Sequence, residues 1–170
     1  MAAPQIGRSI QLAVIEDMDH SQMTPQQLEE KRREKVPFLV IINPRLEVIG
    51  AEKAEFFEGC LSVPELLGVV PRALSVRVEC MNERAEPIVI KASGWYARIL
   101  QHEIDHLNGV LFLDKVQSRT LTTTENYVKM SSQREFLSLY SQAAMMRVMN
   151  KVVCICTTTT RQTTTTGARR

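Results

Sequence analysis

Apolar and polar positions along the first hundred residues alternate in patterns that predict β-strands. Residues 10–17 (IQLAVIED) and 38–44 (FLVIINP) are apolar runs of strand length, and the second is β-branched and closed by Asn-Pro. Residues 74–80 (LSVRVEC) alternate and 87–92 (PIVIKA) are rich in strand formers, with a polar stretch between them. The pattern therefore predicts two buried strands followed by a hairpin with a longer loop.

After Ser93 the period becomes helical. Ser93 is a candidate N-cap and Asn108-Gly109 supplies a left-handed C-cap, so the pattern predicts a helix over 94–108. Two neighbouring stripes run along it, an apolar one with Leu100, Ile104 and Leu107 and a second one with Trp95, Ile99, His102 and His106. We expect one stripe to face the core and the other a cleft.

Two further helices are predicted outside these segments. Thr24, Pro25 and Gln27 form a helix start with a capping box, which indicates a charged, solvated helix inserted between the first two strands. Residues 131–153 carry a second capping box and apolar side chains, which favour a helix packed on the core over one that contacts a partner. Residues 154–170 are rich in threonine without periodicity, and we expect them to be disordered.

Composition narrows the class of protein. The chain has 170 residues, 44% hydrophobic and 24% charged, which is typical of one soluble globular domain. Its 21 Lys and Arg balance 19 Asp and Glu, so the charge indicates neither a nucleic-acid nor a membrane partner. We also recognise no signal peptide, transit peptide or membrane-spanning run. Four irregularly spaced cysteines favour a reducing compartment over a disulfide framework.

The segment 101–109 (QHEIDHLNG) carries the strongest candidate chemistry. His102 and His106 are four residues apart on the predicted helix, so both rings project from one face and can bind one metal ion. Glu103, beside the first histidine, can reach a water on that ion. The alternative is a pair of surface histidines on an ordinary amphipathic helix.

A catalytic metal site usually needs a third protein ligand. Cys60 in FFEGCLSVPE is the candidate, because a thiolate binds divalent ions strongly and Gly59 permits a close backbone approach. A lone cysteine is more often a small buried apolar residue. In a second hypothesis the chain is a zincin-type metallopeptidase with Glu125 or Glu135 as the ligand, and in a third it is a non-catalytic remnant.

Three ordered motifs resemble those of peptide deformylases. The family has G-φ-G-φ-A-A-x-Q, E-G-C-x-S and Q-H-E-x-D-H, where φ is apolar, and this chain has MAAPQ (1–5), EGCLS (58–62) and QHEIDH (101–106). The similarity runs from residue 1 to about residue 130. The segment from Ala92 to Thr120 and the inserted helix look most like organellar, particularly animal mitochondrial, members.

The resemblance implies an α+β fold in which mixed or antiparallel strands pack around a central helix that carries H-E-x-x-H. It implies a hydrolase that removes the formyl group from N-formylmethionyl peptides. One divalent ion (Fe²⁺, Zn²⁺ or Co²⁺) would be held by Cys60, His102 and His106. Glu103 would be the general base and then acid.

The resemblance also implies roles for residues around this centre. The side chain of Gln5 and the backbone N–H of Leu61 would stabilise the oxyanion. Glu58, Trp95 and Ile99 correspond to the methionine side-chain pocket, and Arg72 to a contact with the substrate backbone. From the residues alone, core packing accounts equally well for Trp95 and Ile99, and a solvated surface position is the ordinary expectation for Arg72.

The domain prediction places the catalytic domain at 1–130, a C-terminal helix at 131–153 and a disordered tail at 154–170. The glycines of the first motif would precede Met1, so we expect an incomplete N-terminus that weakens peptide binding and accounts for the missing transit peptide. The resemblance implies nascent N-formylmethionyl peptides at the ribosome as partners and a mitochondrial location. Whether the protein forms a homodimer is an open question, and direct nucleic-acid and membrane partners are not expected.

Overall fold

Two antiparallel sheets frame one long helix in the computed structural model, which describes residues 1–130. The predicted helix at 131–153 and the threonine-rich segment at 154–170 lie outside the described residues. Every strand pairing in the two sheets is antiparallel. Within the described part of the chain, no helix is long and apolar enough to cross a membrane.

The first sheet has four strands in the order β1-β2-β5-β6. They are β1 (Leu12–Asp17), β2 (Val36–Val48), β5 (Ser75–Met81) and β6 (Pro87–Ser93). These strands confirm the four predicted from the hydrophobic pattern, including the β5–β6 hairpin. Their inward-facing side chains provide most of the apolar core.

The predicted end of β2 at Asn43-Pro44 is wrong, because the strand continues to Val48. The pairing with β5 shifts register between Ile42 and Arg45, and Asn43 has a positive φ of 51°. A bulge therefore accommodates the proline that a regular ladder would exclude.

The second sheet has three strands in the order β3-β4-β7, and the hydrophobic pattern did not predict them. They are β3 (Lys53–Cys60), β4 (Val63–Ala73) and the short β7 (Thr122–Thr123). Charged residues interrupt β3 and two prolines interrupt β4, so neither segment shows clean alternation. Their pairing carries Cys60, at the end of β3, to the long helix described next.

The long helix α2 (Gly94–Leu107) lies where the period predicted it. Leu100, Ile104 and Leu107 are buried in the same core cluster as side chains from the first sheet. Gly109, which follows the C-cap residue Asn108, adopts the predicted left-handed conformation with φ 73°.

The N-terminus of α2 is held differently from the prediction. Ser93 is the N-cap residue, but its side chain makes no capping hydrogen bond. Backbone carbonyls replace it, since Gly94 N–H donates to Leu74 O at 2.9 Å and Trp95 N–H to Arg32 O at 3.4 Å. A Cβ on Gly94 would lie 2.5 Å from Arg32 O, so only glycine permits this approach.

The inserted segment between β1 and β2 contains α1 (Pro25–Glu30), which is an exposed or half-exposed helix as predicted. The Thr24–Gln27 capping box is confirmed, with Thr24 N–H donating to Gln27 Oε1 at 2.8 Å. Beyond α1, the cations of Lys31 and Arg33 lie 5.3 and 5.1 Å from the ring centre of Trp95. The described chain ends in α3 (Thr124–Met130).

Candidate metal centre

Three side chains that could hold a metal ion converge between β3 and α2. The Sγ of Cys60 lies 3.1 Å from His106 Nε2, which is 3.2 Å from His102 Nε2. The three ligand atoms lie within 4.8 Å of one another. The structure thus brings together the cysteine and the two histidines that the sequence singled out.

Two of the three separations of these atoms are near those expected around a single divalent ion. Tetrahedral zinc, with Zn–N about 2.05 Å and Zn–S about 2.3 Å, places two nitrogens ~3.3 Å apart and a sulfur and a nitrogen ~3.5 Å apart. The observed 3.2 and 3.1 Å are close to these values. Two imidazoles and one thiolate leave a fourth position for water or substrate, which is the pattern of catalytic rather than structural sites.

Local structure explains why these atoms meet. The two histidines are one turn apart on α2, and their rings meet edge to face at a centroid distance of 4.8 Å. On β3, the register shifts between Gly59 and Cys60 just before the turn into β4. This irregularity lies at the point where the chain presents its sulfur to the helix.

The surroundings of Cys60 favour its thiolate. Burial alone raises the pKa of Cys60, but hydrogen bonds with His102 and His106 and from Ser62 N–H outweigh it and lower the pKa to about 5. The Ser62 N–H donates to Sγ at 3.4 Å. A sulfur that is already ionised at neutral pH is ready to bind a cation.

Glu58 contacts the far side of the His102 ring. Its Oε2 lies 3.1 Å from His102 Nδ1, the nitrogen turned away from Cys60 and His106. Burial raises the pKa of Glu58, but hydrogen bonds from His102 and Arg72 lower it to about 2. Burial lowers the pKa of His102, while Cys60 and Glu58 raise it to about 9, with help from the charge of Glu103. A carboxylate behind a histidine in this way fixes its ring and tautomer.

A row of ion pairs continues from Glu58, buried at Glu58 and Arg72 and ending at the exposed Lys115. Arg72 binds both oxygens of Glu58, at 3.0 and 2.9 Å, and donates to Asp105 at 2.5 Å. Lys115 takes the other oxygen of Asp105 at 2.6 Å. Arg72 is only 3% exposed, so the expectation of a solvated surface arginine is wrong. Its guanidinium is held between two carboxylates inside the protein.

Gln5 and Leu61 both lie beside Cys60. Gln5 Oε1 accepts from Ala2 N–H at 2.8 Å, which directs its NH₂ group towards Cys60 Sγ at 3.7 Å and Ser62 Oγ at 3.0 Å. Leu61 follows Cys60 in the turn between β3 and β4, and its side chain is half exposed. Both are therefore placed where a donor could face a molecule bound at the centre.

Glu103 lies on α2 between the two histidines in sequence. Its carboxylate is 2.8 Å from the amino group of Met1, and its side chain is 13% exposed. Its charge contributes to the raised pKa of His102. The structure thus places the charge of Glu103 where it acts on His102.

Trp95 and Ile99 occupy the N-terminal half of α2. Trp95 is buried and meets Phe56 edge to face at 5.9 Å, with three cationic side chains within 6 Å of its ring. Ile99 is partly buried against the main core. Core packing accounts for both, and their place in a methionine pocket stays a prediction.

The metallopeptidase hypothesis named Glu125 or Glu135 as third ligand. Glu125 lies on the exposed face of α3, where it pairs with Lys129, and Glu135 lies outside the described residues. Among residues 1–130, the group that could hold an ion consists of Cys60, His102 and His106. The geometry therefore favours the cysteine ligand over Glu125.

Sequence reasoning missed several polar residues of this region. Arg98 is 3% exposed and donates to Glu58 Oε1 at 2.5 Å. Gln101 bridges α2 to β4 by bonding both the N–H and the carbonyl of Ala73. A signal was present, because Arg98, His102 and Asp105 recur at helical spacing beside the predicted ligands.

Residues 1–122 match the sequence model of the family described as Polypeptide deformylase, which is 122 of the chain's 170 residues. The chain belongs to the polypeptide deformylase family. The deformylase match contains Cys60, Glu103 and both histidines of the centre.

Curated relatives of this deformylase-family chain include organellar proteins. Peptide deformylase 1A, chloroplastic, from Solanum lycopersicum is 47% identical over 128 residues, which are 74% of this chain and 46% of that protein. Peptide deformylase, mitochondrial, from Homo sapiens is 40% identical over 124 residues, which are 72% of this chain and 51% of that protein. The chain spans about half the length of these relatives.

Solved deformylases share the fold. The Met-Ala-Ser-bound crystal structure of class I type b peptide deformylase from Acinetobacter baumannii has a TM-score of 0.59 and 32% identity, and the match covers 68% of this chain and 69% of that one. The predicted α+β deformylase-like class, with antiparallel strands packed around the H-E-x-x-H helix, is confirmed.

Proposed function

We propose that this protein is a metal-dependent hydrolase that removes the formyl group from N-formylmethionyl peptides of newly made proteins, giving formate and a free N-terminal methionine. The observation that carries the proposal is the convergence of Cys60 Sγ with the two histidine Nε2 atoms, within 4.8 Å of one another, beside Glu103. Membership of the polypeptide deformylase family supports the same reaction.

Cys60, His102 and His106 are proposed to hold one divalent ion, with Fe²⁺, Zn²⁺ and Co²⁺ as candidates. Two imidazoles and a thiolate suit each of these ions and do not select one. A bound ion would polarise the formyl oxygen and lower the pKa of a water molecule enough for attack at neutral pH.

Glu103 is proposed to move the proton. A carboxylate within hydrogen-bond reach of the attacking water accepts its proton and delivers it to the amine nitrogen as the C–N bond breaks. The side chain is largely buried, at 13% exposed, which limits exchange of that proton with bulk water. The formyl group, which now carries the oxygen of the attacking water, leaves as formate.

The Gln5 side chain and the Leu61 backbone N–H are proposed to stabilise the oxyanion. Gln5 is preoriented, since the Ala2 N–H holds its Oε1 at 2.8 Å and leaves its NH₂ group for the site. Each such donor contributes roughly 3 kcal/mol to transition-state stabilisation in other hydrolases.

The substrate is proposed to be a nascent peptide at the ribosome. The Acinetobacter deformylase structure was solved with Met-Ala-Ser, a peptide that begins with methionine. Glu58, Trp95 and Ile99 remain the proposed lining of the methionine pocket. Arg72 remains the proposed contact to the peptide backbone, which would require its guanidinium to leave the Asp105 carboxylate. Mitochondrial location is proposed from the human relative, and a homodimer remains an open part of the proposal.

Formate release from formyl-Met-Ala-Ser tests the activity. The protein is loaded anaerobically with Fe²⁺, Zn²⁺ or Co²⁺, and bound metal is counted before the assay. We expect formate from the loaded protein and loss of turnover after chelation, with acetyl-Met-Ala-Ser as the control substrate. Stoichiometric metal without formate production would instead support the non-catalytic remnant.

A further inference from the structure

Arg98 is a buried cation on α2, and the proposed reaction gives it no role. It is 3% exposed, and its guanidinium hydrogen-bonds to Glu58, Val70 and Ala54. Its NH1 donates to Glu58 Oε1 at 2.5 Å and to Val70 O at 3.0 Å, and its NH2 donates to Ala54 O at 2.6 Å. A buried charge costs free energy unless well paired, so its presence needs an explanation.

The carbonyls of Ala54 and Val70 fix where the guanidinium of Arg98 lies. Ala54 belongs to β3 and Val70 to β4, so the group is tied to two paired strands as well as to its own helix. It also lies 5.2 Å from the ring centre of Phe56. Arg98 therefore offers Glu58 a donor whose position is set by the second sheet.

Arg98 is a second cationic partner for Glu58 beside the shared Arg72. Arg72 is shared between Glu58 and Asp105, so its single positive charge serves two carboxylates. Lys115 supplies the additional cation for Asp105, and Arg98 supplies it for Glu58. The result is a continuous row of alternating charges with Arg98 at one end.

We propose that Arg98 is a positioning residue of the metal centre. Together with Arg72 it holds the Glu58 carboxylate in one orientation, so that Oε2 accepts the Nδ1–H of His102 at 3.1 Å. The Nε2 of His102 then points to Cys60 and His106. Arg98 acts on the metal through Glu58 and touches neither the ion nor the substrate. This inference rests on the proposed metal centre.

The test measures metal retention, which does not depend on turnover. Co²⁺-loaded protein is mixed with excess chelator, and the rate of cobalt loss is measured for Glu58→Gln, Arg98→Met and the double variant. Outer-shell partners typically contribute 10–100-fold to metal affinity. We expect release to be about tenfold faster in Arg98→Met and up to about a hundredfold faster in Glu58→Gln. The double variant should match Glu58→Gln alone.

Cobalt absorption provides the second readout, because its visible bands report ligand geometry. We expect altered absorption bands in Arg98→Met. In Arg98→Lys the bands and the cobalt retention should partly recover, because lysine keeps the charge but lacks the planar guanidinium that donates in several directions. Arg98→Lys also keeps the test decisive if Arg98→Met does not fold. Arg77→Met, which removes a half-exposed arginine of β5 paired with Glu79, is the matched control and should leave both readouts unchanged.

Several results would overturn the positioning role. One is a release rate and spectrum in the Arg98 variants within twofold of the parent, even if their melting temperatures fall. Another is an equal fold-effect of Arg98→Met with and without Glu58→Gln, which would mean that Arg98 does not act through Glu58. Cobalt binding with these effects but without formate release would overturn only the proposed function. Failure of the parent protein to bind cobalt would overturn both.

Discussion

The two faces of α2 are buried to a similar degree but for opposite reasons. Leu100 on one face is 0% exposed, while Arg98 and His106 on the other are 3% and 6% exposed. Burying a leucine side chain is favourable by roughly 1.5–3 kcal/mol. Burying an arginine or an ionised partner is unfavourable unless every charge is paired and hydrogen-bonded.

Each face is matched to the sheet that it contacts. The apolar face joins the main core with side chains of the four-stranded sheet, whereas Arg98 and His102 meet Glu58 of β3. The apolar face anchors the helix by non-directional contacts that other residues of similar volume could make. The polar face depends on particular atoms at particular distances. This difference predicts that changes on the apolar face lower stability and changes on the polar face lower metal binding or turnover.

The largest expected effect is that of Glu103→Gln on the polar face. Removing a general acid–base group typically costs 10²–10⁴-fold, so we expect kcat/KM for formyl-Met-Ala-Ser to fall about a thousandfold. Bound cobalt should stay at the parent level, since Glu103 is not a proposed ligand. Glu125→Gln, on the exposed surface of α3, is the control and should leave kcat/KM unchanged. Near-normal turnover of metal-loaded Glu103→Gln would remove this residue from the mechanism.

Cys60→Ala should have the next largest effect, on metal affinity. It deletes one of three proposed ligands, so the loss should exceed the roughly 10–100-fold that an outer-shell partner contributes. Equilibrium competition with a chelator measures the change. Cys80→Ala is the matched control, because Cys80 is a buried free cysteine in the four-stranded sheet. Retention of metal by Cys60→Ala would favour the metallopeptidase hypothesis.

Leu100→Ala tests the apolar face. A fully buried leucine shortened to alanine typically destabilises a protein by 2–5 kcal/mol, and we expect about 3 kcal/mol in urea unfolding of the metal-free protein. Cobalt absorption, recorded well below the melting temperature, should match that of the parent. Altered cobalt bands would show that the two faces are not independent.

The smallest of these effects is expected for the change in metal affinity per pH unit. The pKa of Cys60 is lowered to about 5 and that of His102 is raised to about 9. Between these values the metal-free pair is thiolate and imidazolium, so an ion must displace the proton of His102. Affinity should therefore rise about tenfold per pH unit from pH 6 to 8, with one proton released per ion. A pH-independent affinity over this range would contradict the assigned protonation states.

Local periodicity was enough to predict α2 and the four strands of the first sheet, but not their order in it. Apolar runs and alternation identify β1, β2, β5 and β6, and the spacing of Leu100, Ile104 and Leu107 identifies the helix. The bulge at Pro44 and the backbone caps of α2 were not predictable, because each depends on a distant strand or loop. Strands β3 and β4 were missed because their charges and prolines obscure alternation.

The candidate site divides in the same way. His102, Glu103 and His106 follow from spacing on one helix. Cys60 lies 42 positions before His102 and was singled out by its thiol beside Gly59 and then by the order of motifs. Arg72 and Arg98 both pair with Glu58, although they lie 14 and 40 positions after it in the sequence. The charge pattern of a single sequence does not specify such partners. The partners of buried charges are identified only when tertiary structure shows what these charges contact.

The most direct measurement is X-ray absorption at the metal edge of the zinc-loaded protein. We expect one sulfur at about 2.3 Å from the zinc ion and nitrogen or oxygen neighbours at about 2.0–2.1 Å. The sulfur contribution should disappear in Cys60→Ser. A shell of nitrogen and oxygen alone in the parent protein, or a sulfur that persists in Cys60→Ser, would contradict the proposed centre.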